Sequence, residues 1–300
     1  MSVRLGALVL PESAGPRAAA RWRQVEQLGF DHAWTLDHLS WRTLRGAPWF
    51  DAMTTLTTAA AATSTLRLGT LVASPNFRHP VLTAAQAMAL DHASGGRFVL
   101  GVGAGAAGPD DNALGGDPLS PARRAERFAE FVAVADRVLR ERPCTVTGTW
   151  YSAVDVHLAP GCLQRPRTPF AVAAAGPKGM RVAVEFADTW VTIGATDTPG
   201  GLPEQAAFDR LRRQLDRLDD LCAEAGRDPA GLARLVNLSR VAEHPYSSAQ
   251  RLVDLVGRCA ELGFTDVVLA WPRAHGVFQG DQDAFERAVG AVREYFVTPA

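Results

Sequence analysis

Apolar, β-branched runs recur along the chain at 3–10, 30–36, 66–73, 97–102, 169–174, 188–193, 232–241 and 264–271, each bounded by Gly, Pro or polar residues. Between and after them, apolar residues at three- and four-residue spacing predict helices at about 16–28, 51–63, 80–94, 121–141, 177–187, 203–226, 247–262 and 280–297. Strand then helix, repeated eight times, predicts a single (β/α)8 TIM barrel of the α/β class over residues 1–300. The second and eighth strands share an entry signal, Leu28-Gly29-Phe30-Asp31 and Leu262-Gly263-Phe264-Thr265-Asp266, with glycine where a helix turns out through a left-handed cap. One segment breaks the alternation: 145–151 followed by 154–158 predicts a small β-hairpin inserted between helix four and strand five of the barrel.

Composition narrows the class. With 47% hydrophobic residues the chain can bury a sizeable core. No apolar run approaches the ~20 residues of a membrane helix, and the start reads as a first strand in place of a leader, so no membrane association and a cytoplasmic location are expected. Thirty-one basic against 32 acidic residues, scattered along the chain, argue against nucleic-acid binding. Cys144, Cys162, Cys222 and Cys259 lack the spacing of a zinc site or a disulfide framework, and no metal is expected.

In such a barrel the chemistry gathers at the carboxyl ends of the strands. Asp37, His38 and Trp41 follow strand two, Asn76 follows strand three, Ser239 follows strand seven and Trp271 follows strand eight. His38 is the side chain best suited to move a proton near neutral pH, with Asp37 beside it to hold its orientation; a helix cap and a satisfied polar histidine are the competing readings. Trp41, Asn76 and Trp271 are candidate substrate contacts. Gly103-Ala104-Gly105-Ala106-Ala107-Gly108 spells G-x-G-x-x-G, but it follows the fourth strand and runs into Pro109-Asp110-Asp111 instead of a helix. Small residues admitting a flat ring explain it better than a dinucleotide fold. Ala174-Ala175-Gly176-Pro177-Lys178 opens helix five, where free N–H groups favour a phosphate, and Lys178 is the chain's one lysine. A capped helix start with a solvated lysine remains the alternative.

Taken together, Leu28–Asp31 leading to Asp37-His38, Leu68-Gly69-Thr70-Leu71-Val72 leading to Arg78-His79-Pro80, Ser94-Gly95-Gly96-Arg97 leading to Gly101–Gly105, and Ala187-Asp188-Thr189-Trp190 resemble the bacterial luciferase-like superfamily, in its branch of deazaflavin (coenzyme F-420, F420) dependent oxidoreductases. The resemblance implies that His38 lies near the reactive carbon of the deazaflavin, that Thr70, Leu71 and Val72 back its ring, and that a non-prolyl cis peptide falls at Leu71-Val72. It implies a phosphate turn at Ala174, Ala175, Gly176 and Pro177 with Thr192 and Gly194 nearby, and a ring flank at Gly103, Ala104, Gly105 and Ala106. Hydride transfer to an activated C=C, C=N or C=O bond of a small-molecule or peptide substrate is then expected, with a flavin mononucleotide (FMN) monooxygenase or a non-catalytic ligand-binding barrel as alternatives. Homodimers are common among such proteins, and helices two and three carry candidate contacts. Sugar-phosphate dehydrogenases of the branch place a glutamate after strand four; here that neighbourhood is Ala106-Ala107, so Asp110 or Asp111 must fold back if a carboxylate is to reach His38.

Overall fold

Eight parallel strands close on themselves in the order the alternation predicts. The computed structural model describes residues 2–108, 110–111, 113–194 and 202–296. Its elements are β1 (Arg4–Leu8), α1 (Gly15–Gln27), β2 (His32–Thr35), α2 (Ala52–Ala62), β3 (Arg67–Thr70), α3 (Pro80–Ala93), β4 (Phe98–Gly103) and α4 (Pro121–Arg140). After the antiparallel hairpin β5 (Cys144–Thr147) and β6 (Ser152–Val156) come β7 (Phe170–Ala173), α5 (Pro177–Phe186), β8 (Thr189–Thr192), α6 (Glu204–Glu224), β9 (Ala233–Asn237), α7 (Ala249–Leu262), β10 (Asp266–Ala270) and α8 (Gln282–Phe296). Around the barrel the neighbours run β1-β2-β3-β4-β7-β8-β9-β10 and back to β1. The hairpin sits where the sequence places it; residue 297, the expected end of the last helix, lies outside the described residues.

The strands are buried on both faces, which is why they read as continuous apolar runs. Leu8, Trp34, Val99, Ala171, Val191, Leu235 and Val268 form one cluster inside the barrel. A larger cluster, built on Trp22, Phe98, Phe131, Phe170, Trp190 and Phe285 among others, fills the layer between sheet and helices. Asp51, Ser120 and Ser248 cap α2, α4 and α7 through their side chains, and proline opens α3, α4 and α5. Gly263 leaves α7 at φ 94°, and its neighbour's N–H (Phe264) closes on the Cys259 carbonyl, the left-handed exit expected at this junction. The four cysteines are buried and unbonded to one another, and burial pushes the Cys259 thiol up to about 12.

Several residues of the sequence motifs prove to be joints of the scaffold. The Asp31 carboxylate accepts the Leu5 N–H at 2.7 Å, tying the approach of β2 to β1. Asp188 takes the Phe170 N–H at 2.8 Å, and the Trp190 indole donates to the Ala174 carbonyl at 2.9 Å. Arg97 is the most heavily used: it donates to the carbonyls of Ser94, Leu66, Ala60 and Thr63 and to the Thr63 hydroxyl at 2.6–3.0 Å. A lysine has no planar fork with which to serve these acceptors together. Arg97→Lys is therefore expected to lower stability by about 2 kcal/mol, read as a shift of the urea midpoint at unchanged m-value.

The run 232–241 is not strand throughout. Pairing stops at Asn237, and Leu238–Arg240 forms a single 3-10 turn in which the Ser239 hydroxyl accepts the Ala270 N–H at 2.7 Å. Ser239 thus serves the seam between β9 and β10 and not the cavity above it. Among the described residues, no helix is long and apolar enough to cross a membrane.

Candidate active site

A cavity of about 900 Å³ opens at the carboxyl ends of the strands. Its lining includes His38, Trp41, Leu71, Val72, Asn76, Gly103, Ala104, Gly105, Ala106, Ala174, Ala175, Gly176, Pro177, Lys178 and Thr192 from the residues that the sequence singles out. The Leu71-Val72 peptide is cis, at the position the resemblance implies.

His38 is partly exposed on the cavity wall, and its Nδ1 lies 2.6 Å from Oδ2 of Asp110. The other Asp110 oxygen accepts the Leu39 N–H at 3.1 Å, so one carboxylate fixes both the ring and its backbone. With Nδ1 facing a carboxylate, the neutral ring keeps its proton there and offers Nε2 to whatever occupies the cavity. Asp110 thus supplies the carboxylate that the Ala106-Ala107 neighbourhood lacks.

Four expectations are corrected. Asp37 does not orient His38: it is buried beneath the site, where its two oxygens bind Arg78 at 2.6 and 2.8 Å. Burial pushes the Asp37 carboxyl up, and Arg78 opposes that shift by hydrogen bonding and charge. Burial likewise disfavours the Arg78 charge, but Asp37 and Asp51 outweigh it and raise its pKa above arginine's ordinary value. The bidentate geometry is that of an ion pair, which anchors the β3–α3 loop under the cavity. Thr70 is fully buried with its hydroxyl on the Gly101 carbonyl at 2.7 Å, stitching β3 to β4 and leaving only Leu71 and Val72 to face the cavity. Gly194 lies behind the wall; its N–H donates to the Thr192 hydroxyl at 3.0 Å and its carbonyl accepts from Gln214 at 3.0 Å. Trp271 points into the outer core, edge-on to Phe285 at 5.3 Å and under the Arg21 guanidinium at 4.9 Å, because the residue after Ala270 faces the helices.

Asn76 holds the glycine loop. It donates to the Ala106 carbonyl at 3.1 Å and accepts from Arg127 of α4 at 2.6 Å. Gly105 sits at φ 73° directly against the Asn76 amide, leaving no room for a Cβ. His79 caps α3, donating nothing to the cavity, and packs edge-on to Tyr151. Lys178 lies 4.0 Å from Glu126 on the rim.

The sequence reading missed Asn237, Arg240 and Phe278, all of which line the cavity. Asn237 is the last residue of β9, a signal available from the strand-end rule once that strand is cut to its proper length. Phe278 lies in a loop well beyond its strand and carries no such signal. The Asn237 amide oxygen is buried with no hydrogen-bond donor among the described residues.

A closed parallel barrel with a strand-end histidine–aspartate pair facing a large cavity defines an enzyme site of the TIM-barrel type. Residues 2–289 match the family model described as luciferase-like monooxygenase, and the chain belongs to that luciferase-like family. It is 30% identical over 336 aligned positions to an F420-dependent glucose-6-phosphate dehydrogenase of Beutenbergia cavernae, with 94% of each chain covered. It is 35% identical over 216 positions to a 4-hydroxyprotoasukamycin monooxygenase of Streptomyces nodosus subsp. asukaensis, which covers 69% of this chain and 55% of that protein, so the chain spans little more than half the length of that relative. An F420-dependent secondary alcohol dehydrogenase, solved in complex with an F420-acetone adduct, superposes with a TM-score of 0.80 at 20% identity over 98% of this chain and 100% of that one, a likeness of fold.

Proposed function

We propose that the chain is an F420-dependent oxidoreductase that reduces an activated C=C, C=N or C=O bond of a small organic or peptidic substrate. The observation that carries this reading is the His38–Asp110 pair at 2.6 Å facing a cavity whose far wall is small and apolar. End-to-end similarity to an F420-dependent dehydrogenase supports the choice of coenzyme.

The residues fit such a coenzyme on three counts. Leu71, Val72, Gly103 and Ala104 offer an apolar wall against which a ring can lie. The first turn of α5 has no side-chain cap, so its N–H groups and the dipole are available to a phosphate, with Lys178 beside them. The orphaned Asn237 oxygen is an acceptor for a ring N–H. When bound, the deazaflavin supplies or accepts a hydride at its ring carbon. His38 exchanges a proton through Nε2 with the substrate atom that gains or loses charge, Asp110 fixes the ring through Nδ1, and the loop ordered by Asn76 encloses the reacting atoms.

The second reading, an FMN-dependent monooxygenase, is favoured by the similarity to the Streptomyces monooxygenase. Separate titrations with F420 and FMN, followed by quenching of tryptophan fluorescence, distinguish the two. F420 is expected to bind at least tenfold more tightly than FMN, a difference of about 1.4 kcal/mol. Tighter binding of FMN accompanied by oxygen uptake would overturn the F420 reading.

A further inference from the structure

The carboxyl ends of β2, β1 and β10 form one continuous arc of the cavity, and this arc carries an aromatic wall. Trp41, after β2, and Phe278, after β10, both line the cavity and stack on each other at 5.9 Å and 19°. Trp49 stacks on Trp41 at 6.1 Å and 26°. The His38 ring stands 6.5 Å from Trp41, tilted by 32°.

This wall is built to hold its shape. The Trp49 indole donates to the His38 carbonyl at 2.7 Å, locking the stack to the proton-handling residue. Phe278 stands at φ 57°, a left-handed conformation unfavourable for an aromatic residue. It is enforced from both sides: the Arg273 N–H binds the Phe278 carbonyl at 2.9 Å, and the Arg273 guanidinium binds Glu12 at 2.7 and 2.9 Å and the His275 and Val277 carbonyls at 2.8 and 3.1 Å. A loop held this way presents the Phe278 ring to the cavity.

The wall faces the arc from β3 through β4 and β7 to β8, where Leu71, Gly103, Ala174 and Thr192 lie. The cations among the lining residues, Lys178 and Arg240, follow β7 and β9, and none follows β1, β2 or β10. Among the described lining residues, a substrate lying beside His38 therefore meets the half-buried Phe278 ring, with buried Trp41 stacked on it, and no lysine or arginine.

We propose that Trp41 and Phe278, braced by Trp49 and by the Arg273–Glu12 clamp, are the specificity-determining wall of the site, and that the substrate is uncharged and planar, an aromatic or conjugated ring system carrying the reducible bond. This rests on the reading above for which arc the coenzyme occupies. Stacking on such rings discriminates by flatness, and an offset aromatic contact plus its buried area changes affinity by about tenfold.

The test uses menadione, an uncharged planar naphthoquinone, in calorimetric titrations of the full chain, with glucose 6-phosphate as competitor and an F420 titration run in parallel. Menadione is expected to bind, to bind about tenfold more weakly to Phe278→Ala, to retain affinity within about twofold in Phe278→Tyr, and to be undisturbed by glucose 6-phosphate. The Tyr variant separates loss of the ring from damage to the loop. Equal affinity in wild type and Phe278→Ala, no menadione binding, or displacement by glucose 6-phosphate would overturn the wall. Menadione binding that depends on Phe278 supports the wall even if F420 fails to bind, which would overturn the coenzyme assignment alone.

Discussion

Replacing His38 by alanine is expected to lower turnover about 10²–10³-fold while coenzyme affinity stays within about twofold. The asymmetry follows from geometry. His38 reaches the cavity from the end of β2, whereas the apolar wall and the α5 N-terminus belong to β3, β4, β7 and β8. Asp110→Asn is expected to lose about tenfold in kcat with little change in KM, because the ring stays in place but loses the charged acceptor that fixes its tautomer. Steady-state oxidation of reduced F420 with menadione as acceptor measures both variants, and fluorescence titration measures coenzyme affinity. An unchanged kcat in His38→Ala would remove the residue from the reaction. Loss of coenzyme binding with it would make His38 a binding group.

The second large effect lies at the opposite end of the barrel, where Asp266→Asn is expected to destabilise the chain by about 2 kcal/mol. Asp266 binds Arg4 through two hydrogen bonds at 2.6 and 2.7 Å, and its Oδ1 lies 3.0 Å from His32 Nε2. The Trp34 indole N–H occupies His32 Nδ1 at 2.7 Å, which places the histidine proton on Nε2, toward the aspartate, in contact though not aligned as a hydrogen bond. Breaking a buried pair costs roughly 3–5 kcal/mol, and half-exposed Arg4 can turn to water, which reduces the figure. Burial opposes the Asp266 charge, but Arg4 and His32 outweigh it and hold the carboxyl well below the ordinary carboxylate range. A depressed folded-state pKa stabilises above the unfolded value, so the contribution is complete at neutral pH and drains away as pH falls below about 4. Urea denaturation from pH 7 to 3 is expected to show this acid loss in the wild type and a shallower one in Asp266→Asn; identical slopes would free Asp266 from that role.

The barrel was legible because the strands are mostly apolar on both faces and most helices on one, so two periods alternate along the chain. Strand ends were less so. Asn237 was hidden because the apolar run continues through Leu238–Val241, where backbone pairing has already stopped. Within the site, residues adjacent in sequence to a strand end were placed well, as His38, Trp41 and Lys178 illustrate. Adjacency also misled: Asp37 and Asp110 have the same chemistry, and only a folded loop reveals which of them meets His38 and which meets Arg78. Trp271 and Phe278 pose the same problem, since both follow β10 and a turn of the loop decides which ring faces inward.

The Arg4–Asp266 contact joins residues 262 positions apart and sits on the first rung of the β1–β10 pairing. While the chain is being synthesised, β1 can pair with β2 but keeps its other edge open until β10 has emerged, and the growing sheet carries a second open edge at each newest strand. Such edges invite pairing between chains. The ion pair marks the rung on which the last strand must land, so its loss is felt first in the yield of correctly assembled protein from crowded, concentrated expression, before any change in catalysis.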